Sequence, residues 1–390
     1  MYRIGQEEVD AIQRVIESGK LFRYHEGGEC HRFEQRWAKY LGVKHARLTA
    51  SGTHALTAAM MGLGIGPGDE VLVPANTYMA TAVAVLAAGA IPVVVDINET
   101  NTIDPQAIDD AVGPRTRAVI PVHMWGLSCD MDAIMRIAEK HKLIVIEDAC
   151  QAVGGAFEGR MCGSFGHAGA FSFNYFKNMS AGEGGAVVTN DDDVAQRAAC
   201  GIDCCGFYWN GQPEDFAGFT SNSARASEFE GAIMNVQLDR LPDMIDTMRR
   251  HKQRIVTETE SVAPAAPCNS LAHECGTNNL FLLPTPEQAA TFAEQAGGGV
   301  MINTGRHVYT AWDPILNHRG AHHDALNPFK LPQNQGCRMD YSEDMCARSL
   351  DIMRRTVKIA NHPDNSDEKV AEMIEKIKTA AQQLSSPAAK

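Results

Sequence analysis

The chain has 390 residues, 44% of them hydrophobic, enough to bury a large core and to divide into a big and a smaller domain; disorder is excluded. A net charge of −13 with no clustered Lys and Arg argues against a nucleic-acid surface, which needs concentrated positive charge, so a small metabolite is the expected partner. Eleven cysteines, an odd number in a long chain with no secretory pattern before them, are expected to be reduced thiols.

Cys200, Cys204 and Cys205 form the one tight cysteine cluster, and with no second Cys/His pair at ligand spacing no metal is assigned. Glu7 and Glu8 stand where a signal peptide would carry its basic end. The longest apolar run, Ala82 to Val95, is broken by Gly89 and Pro92 and is too short to span a membrane. A cytoplasmic protein without a membrane partner is the expectation.

In chain order, Val9, Ile12, Val15 and Ile16 recur at helical spacing before Gly19, and Phe33 to Tyr40 reads as a second helix. Ser51-Gly-Thr-His-Ala-Leu opens an Ala- and Met-rich helix with small residues at its start, where free backbone N–H groups suit a phosphate. From Glu70 the pattern alternates. Strands at 71–73, 91–95, 118–122 and 143–146 are separated by helices near 80–88 and 105–112 and another from Met131. Near-continuous apolar strands in βαβ order predict an α/β fold with a parallel sheet covered on both faces, its ligands at the carboxyl ends of the strands. Tyr78, Asp148 and Gln151 lie just past such ends.

Phe171–Phe173 and Ala186–Val188 read as two further strands in a hairpin-like pair. A polar loop over 207–223 precedes a long apolar-periodic helix from Phe229 to Met248, which Pro242 is expected to kink. That helix is read as the bridge between a large domain, 1–248, and a small C-terminal one, 249–390. Asn365 and Glu368 are expected to cap the last helix, and 385–390 to fray. No internal repeat or low-complexity tract is evident.

Between the hairpin strands, the run from Phe171 to Gly185 sets Lys177 between aromatic bulk and a glycine-rich turn. An ammonium surrounded by Phe171, Phe173, Tyr175 and Phe176 would lose hydration and its pKa would fall, so the neutral amine could condense with a carbonyl to a Schiff base. With an aspartate at a strand end, a small-residue phosphate turn and a loop aromatic upstream, the set describes a pocket for pyridoxal 5′-phosphate. Asp148 is the candidate partner of the pyridine nitrogen, although an Asp after a strand serves equally as a helix N-cap. Tyr78 would stack on the ring or simply pack, and Gln151 would bond the ring oxygen or cap a helix.

These residues resemble the DegT/DnrJ/StrS-type sugar aminotransferases nearly end to end. The carriers are Ser51-Gly-Thr-His-Ala-Leu, Gly66-Pro-Gly-Asp-Glu-Val, Pro74-Ala-Asn-Thr-Tyr, Pro121-Val-His-Met-Trp-Gly, Glu147-Asp-Ala-Cys-Gln, Ser172 through Lys177-Asn, and Gly182-Glu-Gly-Gly-Ala-Val-Val-Thr-Asn. The resemblance implies the fold type I of pyridoxal-phosphate-dependent transferases, of the aspartate aminotransferase kind. That is a large domain with a mixed, mostly parallel sheet between helices and a smaller C-terminal α+β domain.

By that likeness Lys177 is the catalytic residue and covalent anchor, Asp148 pairs with the pyridine nitrogen, Tyr78 stacks on the ring, and Gly52, Thr53 and Ser172 hold the phosphate. The family completes the phosphate site with an Asn from a neighbouring subunit, which implies a homodimer with shared active sites. Here the stretch Gly218-Phe-Thr-Ser-Asn-Ser-Ala-Arg225-Ala-Ser-Glu228 departs from the family pattern, placing Asn222 three residues before Arg225 instead of two. The segment from Asn303 to His323 also departs; its histidines bind substrate or decorate a loop, and Arg306 and His307 are the substrate-binding candidates. The implied reaction is transamination from a glutamate or glutamine donor to a keto acceptor, a nucleotide-linked keto sugar. The alternatives are a cyclitol, octulosonate or aminobenzoate-precursor ketone, or a non-catalytic binding protein.

Overall fold

The computed structural model describes residues 3–24, 27–206 and 216–385. Part of the polar loop read at 207–223, and the tail after Ser385, lie outside the described residues.

Two helices, α1 (Gln6–Ser18) and α2 (Glu29–Leu41), lead into a seven-stranded sheet. Its strands in chain order are β1 (His45–Thr49), β2 (Glu70–Pro74), β3 (Ile91–Val95), β4 (Thr116–Val119), β5 (Ile144–Asp148), then, after a two-stranded ribbon of β6 (Ala156–Phe157) and β7 (Arg160–Met161), β8 (Ala168–Ser172) and β9 (Gly185–Thr189). The spatial order is β1-β9-β8-β5-β4-β2-β3. β8, β5, β4, β2 and β3 run parallel, while β9 is antiparallel to both β8 and β1. The sheet is therefore mixed and mostly parallel, and the hairpin-like pairing of β8 with β9 is as expected.

Helices α3 (Gly52–Gly62), α4 (Ala80–Ala87), α5 (Pro105–Ala111) and α6 (Met131–His141) make the crossovers, and α7 (Asp192–Ile202), after the last strand of this sheet, packs on α3. Side chains of a strand alternate between faces, so one strand feeds two cores. Val71 and Val73 join α3 and α4 in one apolar cluster, and Leu72 between them joins α6 in another. Ile146 and Val145 divide in the same way. Burial on both faces explains why these strands read as unbroken apolar runs.

The long helix α8 (Glu228–Thr259) begins at Ser227, whose Oγ accepts from Glu230 N–H, and stays one helix through Pro242, where a kink is expected. The boundary expected at 248 falls inside it. Beyond it come β10 (Asn278–Leu282), α9 (Pro286–Ala296), β11 (Gly299–Val300), α10 (Ala347–Arg355), β12 (Thr356–Ala360) and α11 (Asp367–Ser385). The antiparallel sheet β10-β12-β11 packs with α9 and α11 around Phe281, Phe292, Val357 and Ile374, the smaller α+β domain. Residues Met301, Tyr309, Trp312, Phe329 and Met353 instead share the core of the large sheet. The cap of α11 differs by one residue from expectation: Ser366 Oγ accepts from Lys369 N–H, and Asn365 bonds Asn361 instead.

Candidate active site

A cavity of about 770 Å³ opens at the carboxyl ends of the parallel strands, a volume typical of a small-molecule site. Lys177, Gly52, Thr53, Tyr78, Asp148, Gln151, Ser172, Arg306 and His307 all line it. Asn222 does not; it is exposed on the segment leading to α8.

Gly52 is the first residue of α3, capped by Ser51, whose Oγ accepts from His54 N–H at 3.2 Å. The first N–H groups of a helix have no acceptor inside it and carry the positive end of its dipole. A Cβ at Gly52 would lie 2.7 Å from Cys150 Sγ and 2.7 Å from Ser172 Cβ, so only glycine lets α3 approach the end of β8. Ser172 is the last residue of β8 and faces the cavity.

Asp148 ends β5 and is 5% exposed. Its Oδ2 accepts from Thr81 Oγ1 at 2.8 Å and its Oδ1 from Cys150 N–H at 3.1 Å. A carboxylate offers about four lone-pair positions, so two donors leave room for a further N–H. No α-helix follows Asp148, and the helix-cap alternative falls away. Its neighbour Glu147 points to the other face of β5, accepting from the N–H groups of Gly163, Phe165 and Gly166 and lying 3.0 Å from His123 Nε2. Pleating alone separates the two carboxylates.

Lys177 lies in the turn between β8 and β9, its N–H bonded to the Asn174 carbonyl at 3.0 Å. Its ammonium makes no hydrogen bond or ion pair to any described residue, yet its charge is felt at Cys150 and at His307. The aromatic shell expected around it is absent. Phe171 and Phe173 are fully buried on the opposite face, edge-on to Trp37 at 5.1 and 5.9 Å, while Tyr175 and Phe176 are 57% and 72% exposed at the cavity mouth. Strand alternation is the reason: Phe171 and Phe173 face the core, where each side chain contributes about 1.5–3 kcal/mol, and Ser172 between them faces the cavity. Burial, with the Asp148 charge beside it, pushes the Cys150 thiol well above its ordinary value and keeps it protonated.

The far wall comes from residues 304–307, docked on the segment after β2 by a bridge between Asn76 and Val308. His307 Nδ1–H donates to the Thr304 carbonyl (3.1 Å), leaving Nε2 as an acceptor. Burial lowers its pKa, opposed by that carbonyl and aided by the charges of Lys177, Lys358 and Arg306. Its ring centroid lies 4.5 Å from that of Trp125 and 5.3 Å from that of Tyr78, and the Arg306 guanidinium lies 5.8 Å from the Tyr78 ring.

Sequence reasoning missed Thr81, Trp125, Thr277 and Asn278. Trp125 has left-handed backbone (φ +57°), and its carbonyl accepts from Thr277 Oγ1 (2.7 Å) and Asn278 Nδ2 (2.9 Å). The Trp125 N–H reaches Gln151 Oε1 at 3.4 Å, which leaves the Gln151 amide free to donate. An aromatic inside the Pro121 to Gly126 block was a usable signal for Trp125; nothing local marks the other three. Among the described residues there is no group of three or more His, Cys, Asp or Glu that could hold a metal, and no helix is long and apolar enough to cross a membrane.

The family model described as the DegT/DnrJ/EryC1/StrS aminotransferase family matches residues 2–304. The chain is 33% identical to the spore coat polysaccharide biosynthesis protein SpsC of Bacillus subtilis (strain 168), over 96% of this chain and 94% of that protein. It is 42% identical to the dTDP-3-amino-3,4,6-trideoxy-alpha-D-glucose transaminase of Streptomyces venezuelae, over 62% of each. Among solved structures, 3-amino-5-hydroxybenzoic acid synthase superposes with a TM-score of 0.77 at 27% identity, covering 98% of this chain and 97% of that one.

Proposed function

The chain belongs to the DegT/DnrJ/EryC1/StrS aminotransferase family and is a pyridoxal-phosphate-dependent aminotransferase, and we propose that it transfers an amino group from glutamate or glutamine to a nucleotide-linked keto sugar, with Lys177 as its catalytic residue. The observation that supports this most is the meeting of an uncommitted Lys177 amine, the Asp148 carboxylate and the start of α3 in one cavity.

The cofactor, when bound, supplies an aldehyde to carry the amino group and a ring to take up electrons. Gly52, Thr53 and Ser172 would hold its phosphate at the start of α3, where helix dipole and N–H groups favour an anion. Asp148 would pair with the ring nitrogen through its remaining lone pairs, Gln151 would donate its amide to the ring oxygen, and Tyr78 would pack against the ring. Lys177 would anchor the group, and its Nζ would take up the proton from the donor's Cα as general base. Arg306 and His307 bind substrate on the opposite wall. Asn222, on the segment before α8, reaches the phosphate of a partner subunit in a homodimer.

A second reading, a ketone without a nucleotide, draws on the likeness to 3-amino-5-hydroxybenzoic acid synthase. The test is to convert the loaded enzyme to its amino form with glutamate and offer nucleotide-linked keto sugars and keto cyclitols separately. Regained aldehyde-form absorbance with a nucleotide-linked sugar supports the first reading; regain with cyclitols alone selects the second.

A further inference from the structure

The cavity wall that carries Trp125, Arg306 and His307 presents donors that no described residue satisfies. Lys358, on β12, is not itself a lining residue but stands beside two that are: its ammonium lies 4.1 Å from the centroid of the Trp125 ring, and its charge is felt at His307. It makes no hydrogen bond or ion pair to any described residue. The Trp125 Nε1–H is buried and has no partner. The Arg306 guanidinium lies 5.8 Å from the centroid of the Tyr78 ring and makes no hydrogen bond or ion pair to any described residue. A half-buried ammonium without a counter-charge is costly, and one aromatic face offsets only about 0.5–2 kcal/mol of that. Burial lowers the Lys358 pKa, which reports the same cost. A strand position beside Trp125 would be filled more cheaply by an aliphatic residue unless its charge had a use.

We propose that Lys358 is a specificity-determining residue that, with the Trp125 indole N–H and Arg306, receives an oxyanion of the substrate set away from the reacting carbon. The inference rests on the aminotransferase reading above. Two sources share this chemistry: the side-chain carboxylate of a glutamate donor, and the diphosphate of a nucleotide-linked acceptor. Either excludes a neutral cyclitol as the favoured occupant of this wall.

The experiment uses the loaded enzyme and its Lys358→Met, Lys358→Gln and Lys358→Arg variants. Binding of glutarate, of pyrophosphate and of the uncharged glutaramide is measured by titration calorimetry. Wild type should bind at least one of the two anions, Met and Gln should weaken that anion by about tenfold or more, Arg should keep it within about threefold, and glutaramide should not respond. Weakened glutarate assigns the wall to the donor, weakened pyrophosphate to the acceptor. Equal anion binding by wild type and both neutral variants, no anion binding by wild type, or an equal loss for glutaramide overturns the proposal. The aminotransferase reading is tested apart from this, by whether wild type is converted to its amino form by glutamate or glutamine.

Discussion

Thr81, in the first turn of α4, donates its hydroxyl to Asp148 Oδ2 at 2.8 Å, with the Thr77 hydroxyl 2.7 Å behind it. The carboxylate is thus aimed by a side chain from a different crossover unit. Thr81→Val keeps the shape and removes the donor, at a cost of about 1–3 kcal/mol for the buried partner. Cofactor affinity, read by absorbance titration, should fall by about 5- to 100-fold; an unchanged affinity would show that the hydroxyl does not orient Asp148.

Gly52→Ala places a Cβ 2.7 Å from both Cys150 Sγ and Ser172 Cβ. Overpacking of this kind costs about 1–3 kcal/mol. The variant should melt at lower temperature and lose cofactor on dialysis faster than wild type; a variant identical in both would mean that α3 can shift without consequence.

Glu230 sits in the first turn of α8 beside the β8–β9 turn, with Oε1 buried and unpartnered against Gly184. Burial raises its carboxyl to about 8, Arg23 opposing and Glu34 adding to the rise. The native state therefore holds a proton that the unfolded chain releases near pH 4.5. Its contribution to stability is complete below that pH and is lost as the pH climbs toward 8. Glu230→Gln does not titrate, so at pH 8 it should exceed wild type by about 1–3 kcal/mol in denaturant unfolding, with the gap closing at pH 4–5. A gap of the same size at both pH values would contradict the assignment.

Much of the fold was readable because burial on both sheet faces leaves unbroken apolar strands, and because Gly and Pro mark their ends. The site was readable where chemistry is local: Lys177 in its turn, Asp148 at its strand end, Gly52 at its helix start. The aromatic surroundings of Lys177 were misjudged, since consecutive residues of β8 face opposite ways and sequence proximity of Phe171 and Phe173 carries no contact with position 177. Thr81, Asn278 and Lys358 were invisible for a different reason. Thr81 and Asn278 reach the cavity, and Lys358 its edge, only through the tertiary placement of α4, β10 and β12, and no spacing along the chain encodes that.

Asn222 is exposed and does not line its own cavity. If it serves a partner's site, Asn222→Ala should weaken cofactor binding, and mixing it with Lys177→Ala should give a heterodimer with one intact site, recovering activity that neither variant has alone to the same degree. No recovery in a verified heterodimer would remove Asn222 from the site.

The most direct measurement is borohydride reduction of the loaded enzyme followed by peptide mapping, with Lys177→Ala alongside. Wild type should carry one reduced pyridoxyl group on the Lys177 peptide, and the variant should keep its circular dichroism while losing both the label and turnover. A label on another side chain, or a Lys177→Ala protein that transaminates at the wild-type rate, would contradict the role given to Lys177.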